Sequence, residues 1–187
     1  TQHGRETLHR HYDFPEDRVM VVPHGIDHQK FFPQDEEKST SVATKFGLHR
    51  PFVMQLGSWF PHKNLELSLR GFANSKLYQE GFQLVLIGGG ASENYQQELH
   101  KLVSDLRIGK QVHWIDNVSG GELPALIAAA SCLLQPSRYE GLSLPILGAM
   151  AVGVPAVIAD TTCLPVVSAG VWPKLDPDDV QGWVDAM

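Results

Sequence analysis

A short, unbroken apolar run, then a loop carrying glycine or a charged residue, then a segment with helical spacing: this unit recurs along the chain and narrows its fold more than anything else. The runs lie at residues 51–57, 83–87, 111–115, 128–134 and 156–159. A strand that is apolar at nearly every position is buried on both faces, which is the pattern of a parallel sheet covered by helices on each side. Helical spacing fills the gaps. Leu65, Leu69 and Phe72 share one face over residues 65–73, and Leu99, Leu102, Val103 and Leu106 share one over 93–106; a third helix is expected over 121–130. The alternation predicts an α/β chain with a doubly wound, Rossmann-like parallel sheet. Residues 18–27, with Val19 to Val22 at their centre and Pro23 at the end, read as one more buried strand.

Ligands of such sheets bind beyond the carboxyl ends of the strands, so the loops after Gly57, Ile87, Ile115 and Gln135 are expected at one edge. The last of them is the most informative. Residues 137–160 read as loop, helix and strand, with Pro145 in the first helical turn and Gly153 and Pro155 ending the helix. A helix opening there aims free N–H groups and the positive end of its dipole at the loop before it, so an anion such as a diphosphate is the expected guest. An ordinary crossover with a charged residue at its mouth would show the same pattern. Lys63, in the loop after Gly57, is placed to meet a diphosphate, although a lysine exposed at a helix start reads the same way.

Composition removes other classes. The net charge is −6, with Lys and Arg dispersed, which leaves no electrostatic footprint for nucleic acid. Cys132 and Cys163 lack metal-ligand spacing and are expected as reduced thiols in a cytoplasmic protein. No apolar run approaches the ~20 residues that cross a bilayer. His3, His9 and His11 fit a solvated helix, the acidic run Asp35 to Glu37 a solvated loop with helix beginning near residue 42, and Asp176, Asp178 and Asp179 a turn and helix cap. No metal site is expected. Both ends read as cut from a longer protein.

Glu140-Gly-Leu-Ser-Leu-Pro-Ile-Leu, followed by Ala149-Met-Ala-Val-Gly-Val-Pro, resembles the signature of the retaining nucleotide-sugar glycosyltransferases of family 4. Pro23-His-Gly-Ile-Asp with Phe31-Phe-Pro, and Gly57-Ser with Lys63-Asn, are similar to further motifs of that family. The resemblance implies the carboxyl-terminal, donor-binding half of a GT-B fold: residues 1–24 as interdomain segment and first strand, 25–187 as a donor domain truncated at its carboxyl end. It further implies transfer of a sugar from a nucleoside diphosphate to a saccharide or lipid-linked acceptor, as in mannosyltransferase-like enzymes of polysaccharide biosynthesis, with no metal or other cofactor. Glu140 would sit by the sugar and Lys63 by the diphosphate. Gly57, Ser58, Gly88 and Gly89, together with Gly141, Leu142, Ser143 and Leu144, would line the donor, and Asp116, Asn117 and Val118 would cover the base.

Two departures stand out. Gly148 occupies the place of the family's second acid, which holds the ribose, and Ser58 a place that is often arginine. They leave open a catalytically impaired sugar-nucleotide binding module. They also suggest that Gly148→Glu would tighten nucleotide binding and firm the helix. A nicotinamide-dependent oxidoreductase is the least supported alternative, because Glu93 stands where the third glycine of the loop at Gly88 is required. The acceptor-binding amino-terminal half would lie outside this sequence, and with it any peripheral contact with the inner face of a membrane; the segment alone is expected to transfer nothing.

Overall fold

The computed structural model describes residues 1–187, with the side chain of Glu16 left aside. Six strands form one parallel sheet: β1 (Phe52–Leu56), β2 (Gln83–Ile87), β3 (Val112–Ile115), β4 (Cys132–Gln135), β5 (Ala156–Ala159) and β6 (Lys174–Leu175). Their order is β3-β2-β1-β4-β5-β6. β1 pairs with β2 from Phe52 opposite Gln83 to Leu56 opposite Ile87, and on its other side sets Val53 against Cys132 and Met54 against Leu133. The direction of winding therefore reverses between β1 and β4, the switch point at which a doubly wound sheet opens a crevice.

The helices are α1 (Gln2–His11), α2 (Glu36–Lys45), α3 (Leu65–Ser75), α4 (Glu93–Asp105), α5 (Leu123–Ala129), α6 (Leu144–Val152), α7 (Leu164–Val167) and α8 (Val180–Ala186). They pack as two sets, α3 with α4 and α8, and α5 with α2 and α6. Right-handed crossovers explain the division. The connections through α3 and α4 step outward from β1 in one direction and the connection through α6 steps the other way, so each set covers its own face. Phe52, Met54, Leu84, Leu86, Leu133 and Ile158 are wholly buried between the two layers.

Local chemistry sets the boundaries and corrects three expectations. The acidic run at residues 35–37 is a helix start rather than a loop: Asp35 caps α2 by accepting from the Glu37 N–H at 3.1 Å, and Glu36 and Glu37 lie in the first turn, where the dipole favours negative charge. Residues 128 and 129 finish α5, so β4 begins at Cys132. Residues 18–27 do not join the sheet. Met20 and Val22 are 85% and 74% exposed, and among the described residues no strand of the sheet pairs with the segment. α1 has no buried residue, but only His11 of its three histidines is fully exposed: His3 stands edge-on to Tyr139, and His9 is half-buried with Nδ1 3.1 Å from the Phe14 carbonyl. Among the described residues no helix is long and apolar enough to cross a membrane.

Candidate functional site

The loops after β1 and β4 face each other across the switch point. Lys63 ends a 3₁₀ turn over Pro61–Lys63, and its Nζ donates to Glu140 Oε1 at 2.6 Å. Both side chains are largely buried, 14% and 8% exposed. The same carboxylate oxygen accepts from Gln135 Nε2 at 2.6 Å and from Ser137 Oγ at 2.8 Å. Gln135 and Ser137 are wholly buried, so the acid is fixed from below by strand β4 and its loop.

The main chain around Glu140 is fastened by the loop after β5. The Glu140 N–H donates to Thr162 Oγ1 at 3.1 Å, Cys163 Sγ donates to the Glu140 carbonyl at 3.2 Å, and Thr161 Oγ1 donates to the Ser137 carbonyl at 2.7 Å. Burial, then the nearby Glu140 charge, holds the Cys163 thiol above its usual range, and burial pushes Cys132 up to about 11. Both cysteines are free.

Lys63 is held as closely. Gln55 of β1 donates to the Lys63 carbonyl at 2.8 Å and accepts from Ser68 of α3 at 2.7 Å. Asn64 adopts the left-handed conformation, φ 55°, which asparagine tolerates better than most residues. Its amide donates to the carbonyls of Pro136 at 3.2 Å and Pro177 at 2.9 Å, tying the loops after β1, β4 and β6 together. Arg138 adds a bond from its N–H to the His62 carbonyl at 2.8 Å and an ion pair with Asp178 at 2.7 Å; beside this guanidinium the Asp178 carboxyl lies below its usual range. Asp179 caps α8 through the Gly182 N–H, and Asp176 accepts from the Asp178 N–H, so the acidic stretch is a turn and helix cap.

α6 opens onto this pair. Ser143 precedes it in the left-handed region, φ 71°, and makes no side-chain cap. Its hydroxyl is buried without a partner, as is Gln135 Oε1. An uncapped helix start carries partial positive charge on amides that seek an acceptor. The start of α6 and the Lys63 ammonium thus both bring positive charge to this edge of the sheet. Gly141 and Leu144 are exposed at the mouth and Leu142 is half-buried. Beyond Leu142 lies an apolar hollow of about 480 Å³, bounded also by Val21, Val22, Pro23, Leu147 and Val166.

The remaining expected residues line the other side of the same edge. Gly57 donates its N–H to the Ile87 carbonyl, Gly88 to the Ile115 carbonyl, and Trp59 to the Gly89 carbonyl, so the loops after β1, β2 and β3 run in contact. Ser58 is half-buried, Asp116 and Asn117 are exposed, and Val118 packs against the core. Gly148 is different: it is buried, and a Cβ there would lie 3.2 Å from the Phe31 ring and 3.4 Å from Ile127. A side chain there would have to displace Phe31 by a few tenths of an ångström, a packing cost set against the gain in helix firmness expected on substitution. Asn64 was named only as part of the Lys63-Asn motif, and Gln55, Gln135 and Ser137 were given no role by the sequence, although a glutamine near the end of an otherwise apolar strand, as in both β1 and β4, signals a polar site at that edge.

The model of the family described as "Glycosyl transferases group 1" matches residues 37–169. The chain belongs to this family. Among relatives of this group 1 glycosyltransferase chain, O-antigen chain mannosyltransferase RfbU of Salmonella typhimurium is 23% identical over 183 residues, which cover 98% of this chain and 47% of that protein. O-antigen chain mannosyltransferase B of Escherichia coli is 29% identical, covering 95% and 46%. The chain thus spans about half the length of the curated relatives it matches. Among solved structures, Anabaena HepE in complex with UDP-glucose superposes with a TM-score of 0.87 at 19% identity, over 99% of this chain and 50% of that one. The carboxyl-terminal domain of a group 1 glycosyltransferase from Francisella tularensis gives 0.74 at 20% identity, over 86% and 85%. The fold is the doubly wound sheet of the GT-B glycosyltransferases.

Proposed function

We propose that this chain is the donor-binding part of a retaining glycosyltransferase that takes a hexose from a nucleoside-diphosphate sugar, and that residues 25–187 are its donor domain, with 1–24 leading into it from an acceptor-binding half. The observation that carries the reading is the Lys63–Glu140 contact at the switch point, in front of the uncapped start of α6. As the bond from the sugar to the diphosphate breaks, negative charge gathers on the leaving diphosphate. Lys63 and the first amides of α6 meet that charge, with no metal required, and charge stabilisation of this kind contributes much of the catalysis in water-poor sites. Glu140, fixed by Gln135 and Ser137, faces the sugar. Gly57, Ser58, Gly88 and Gly89 approach the donor along their backbones, and Asp116, Asn117 and Val118 cover the base.

A mannose donor is favoured by the relatives, which include GDP-mannose-dependent phosphatidylinositol monomannoside mannosyltransferases of mycobacteria as well as the two O-antigen enzymes. The acceptor is a saccharide or a lipid-linked saccharide. We place the protein in the cytoplasm, touching the inner face of a membrane through the acceptor half. Gly148, standing where the family pattern carries an acid, favours a second reading, a module that binds the sugar nucleotide without turning it over. Calorimetry with GDP-mannose and UDP-glucose, each in the presence of a chelator, tests binding; assay of the full-length protein with the donor that binds separates the two readings. Binding that requires a divalent cation, or no binding of either donor, contradicts the proposal.

A further inference from the structure

In this chain Glu140 and the diphosphate would need the same cation. Among the described residues, Lys63 and Glu140 form the ion pair at this gap, and the pair is closed, at 2.6 Å, with both side chains nearly out of water. The two partners are not anchored alike. Glu140 has two buried donors besides Lys63, Gln135 Nε2 and Ser137 Oγ. Lys63 is fastened by its main chain, through Gln55, and its ammonium is paired with Glu140. The space beside it is open because Gly57 lacks a side chain. A Cβ at Gly57 would lie 3.7 Å from Lys63 Cε and 3.9 Å from Nζ, so any longer side chain would stand in the path of the lysine.

We infer that Glu140 is the resident counter-ion of Lys63, displaced when a nucleoside diphosphate binds and taking the ammonium back when the diphosphate leaves. The inference rests on the donor-site reading above and adds a second role for Glu140, in release of the nucleotide product. A fixed carboxylate beside the bound diphosphate repels it and competes for its cation, which weakens the product complex and shortens its life. Ser143 Oγ, buried and unpartnered at the start of α6, is a polar group that no side chain of the site satisfies. Removing the Glu140 charge thus has opposite effects on the two halves of the cycle: turnover falls and diphosphate binding strengthens.

Calorimetry and stopped-flow release with UDP and GDP on the unaltered chain, on Glu140→Gln, on Lys63→Met and on the double variant test this. Glu140→Gln is expected to bind the preferred diphosphate about tenfold more tightly, chiefly through slower release, as the competitor for the Lys63 ammonium is removed. The gain should largely vanish in the Lys63→Met background. Unchanged or weaker binding by Glu140→Gln overturns the inference, and so does a gain that persists in full without Lys63, which would be bare repulsion. The unaltered chain gives a second readout that no folding defect can cloud: the Lys63 side-chain signal in lysine-labelled NMR should move on saturation with the diphosphate, and a stationary signal overturns the inference. Failure of UDP, GDP and inorganic pyrophosphate all to bind the unaltered chain overturns the donor-site reading and this inference with it; binding without the Glu140→Gln gain overturns this inference alone.

Discussion

Gly88 sits against the carbonyl of Gly57 so closely that a Cβ on Gly88 would overlap that oxygen. The contact brings the loop after β2 onto the loop after β1, and it requires Gly88 to hold φ 146°, a conformation that side chains oppose. At this contact the edge of the sheet is built from backbone alone.

Gly88→Ala is expected to lower stability by about 3 kcal/mol or more, since it combines a backbone clash with an unfavourable φ. Chemical denaturation of the variant checks it. Stability within 1 kcal/mol of the parent, on the order of an ordinary surface change, would mean the two loops are not in contact.

Gly148→Glu is expected to destabilise the fold by about 2 kcal/mol, because an acid chain must push Phe31 aside and begin in an apolar cleft, which outweighs the ~1 kcal/mol that glycine costs inside a helix. Thermal unfolding reads the sign. A rise in Tm together with tighter binding of ribonucleotides, but not of their 2′,3′-dideoxy forms, would restore the idea of a missing ribose clamp.

Asn64→Gly and Asn64→Ala separate conformation from cross-linking. Both lose the bonds to the Pro136 and Pro177 carbonyls, worth about 1 kcal/mol each, while only alanine also strains the left-handed backbone by about 1 kcal/mol more. Denaturation midpoints should fall in the order Asn, Gly, Ala. Equal stability of all three would remove Asn64 from the support of Lys63.

His113 gives the pH dependence. Burial, then the charge of His49, holds its ring below the ordinary value of 6.5, and Gln83 Nε2 lies 2.6 Å from His113 Nε2 while Gln83 Oε1 accepts from the His49 N–H. The neutral ring accepts the amide proton; a protonated ring would set N–H against N–H, and turning the amide would break the bond to His49. The unfolded chain thus binds this proton more readily than the folded one, so the stability His113 contributes is present above pH ~6.5 and is lost as pH falls below it toward the depressed folded value. Tm measured between pH 7.5 and 5.5 should drop, and less steeply in His113→Asn. A slope unchanged by that substitution would show that other groups carry the dependence.

What could be read before the fold was known follows from what each residue records locally. Buried parallel strands leave continuous apolar runs, so β1, β2, β3 and β5 were legible, and Pro145 and Gly153 marked α6. The run at 18–27 failed because apolar spacing records burial against something and not which sheet supplies it. α2 was expected to start late because the acidic residues that read as a loop are also those that cap a helix. The site was legible in its parts: Lys63 and Glu140 could be chosen by type and place, but not their contact, which spans 77 positions of sequence and exists only because β4 returns to lie beside β1. The supports Gln55 and Gln135 carry their meaning only once that neighbour is known.

The most direct test of the account compares a nucleoside with its diphosphate on the unaltered chain and on Lys63→Ala, by calorimetry in the presence of a chelator. The diphosphate should bind the unaltered chain and lose about 1.5–3 kcal/mol in the variant, roughly 10- to 100-fold in Kd, as a charge-assisted bond to phosphate is removed, while the weaker binding of the nucleoside stays the same. Equal affinity of the diphosphate for both chains, or an equal loss for the nucleoside, would contradict the assignment of Lys63 and the start of α6 as the diphosphate site.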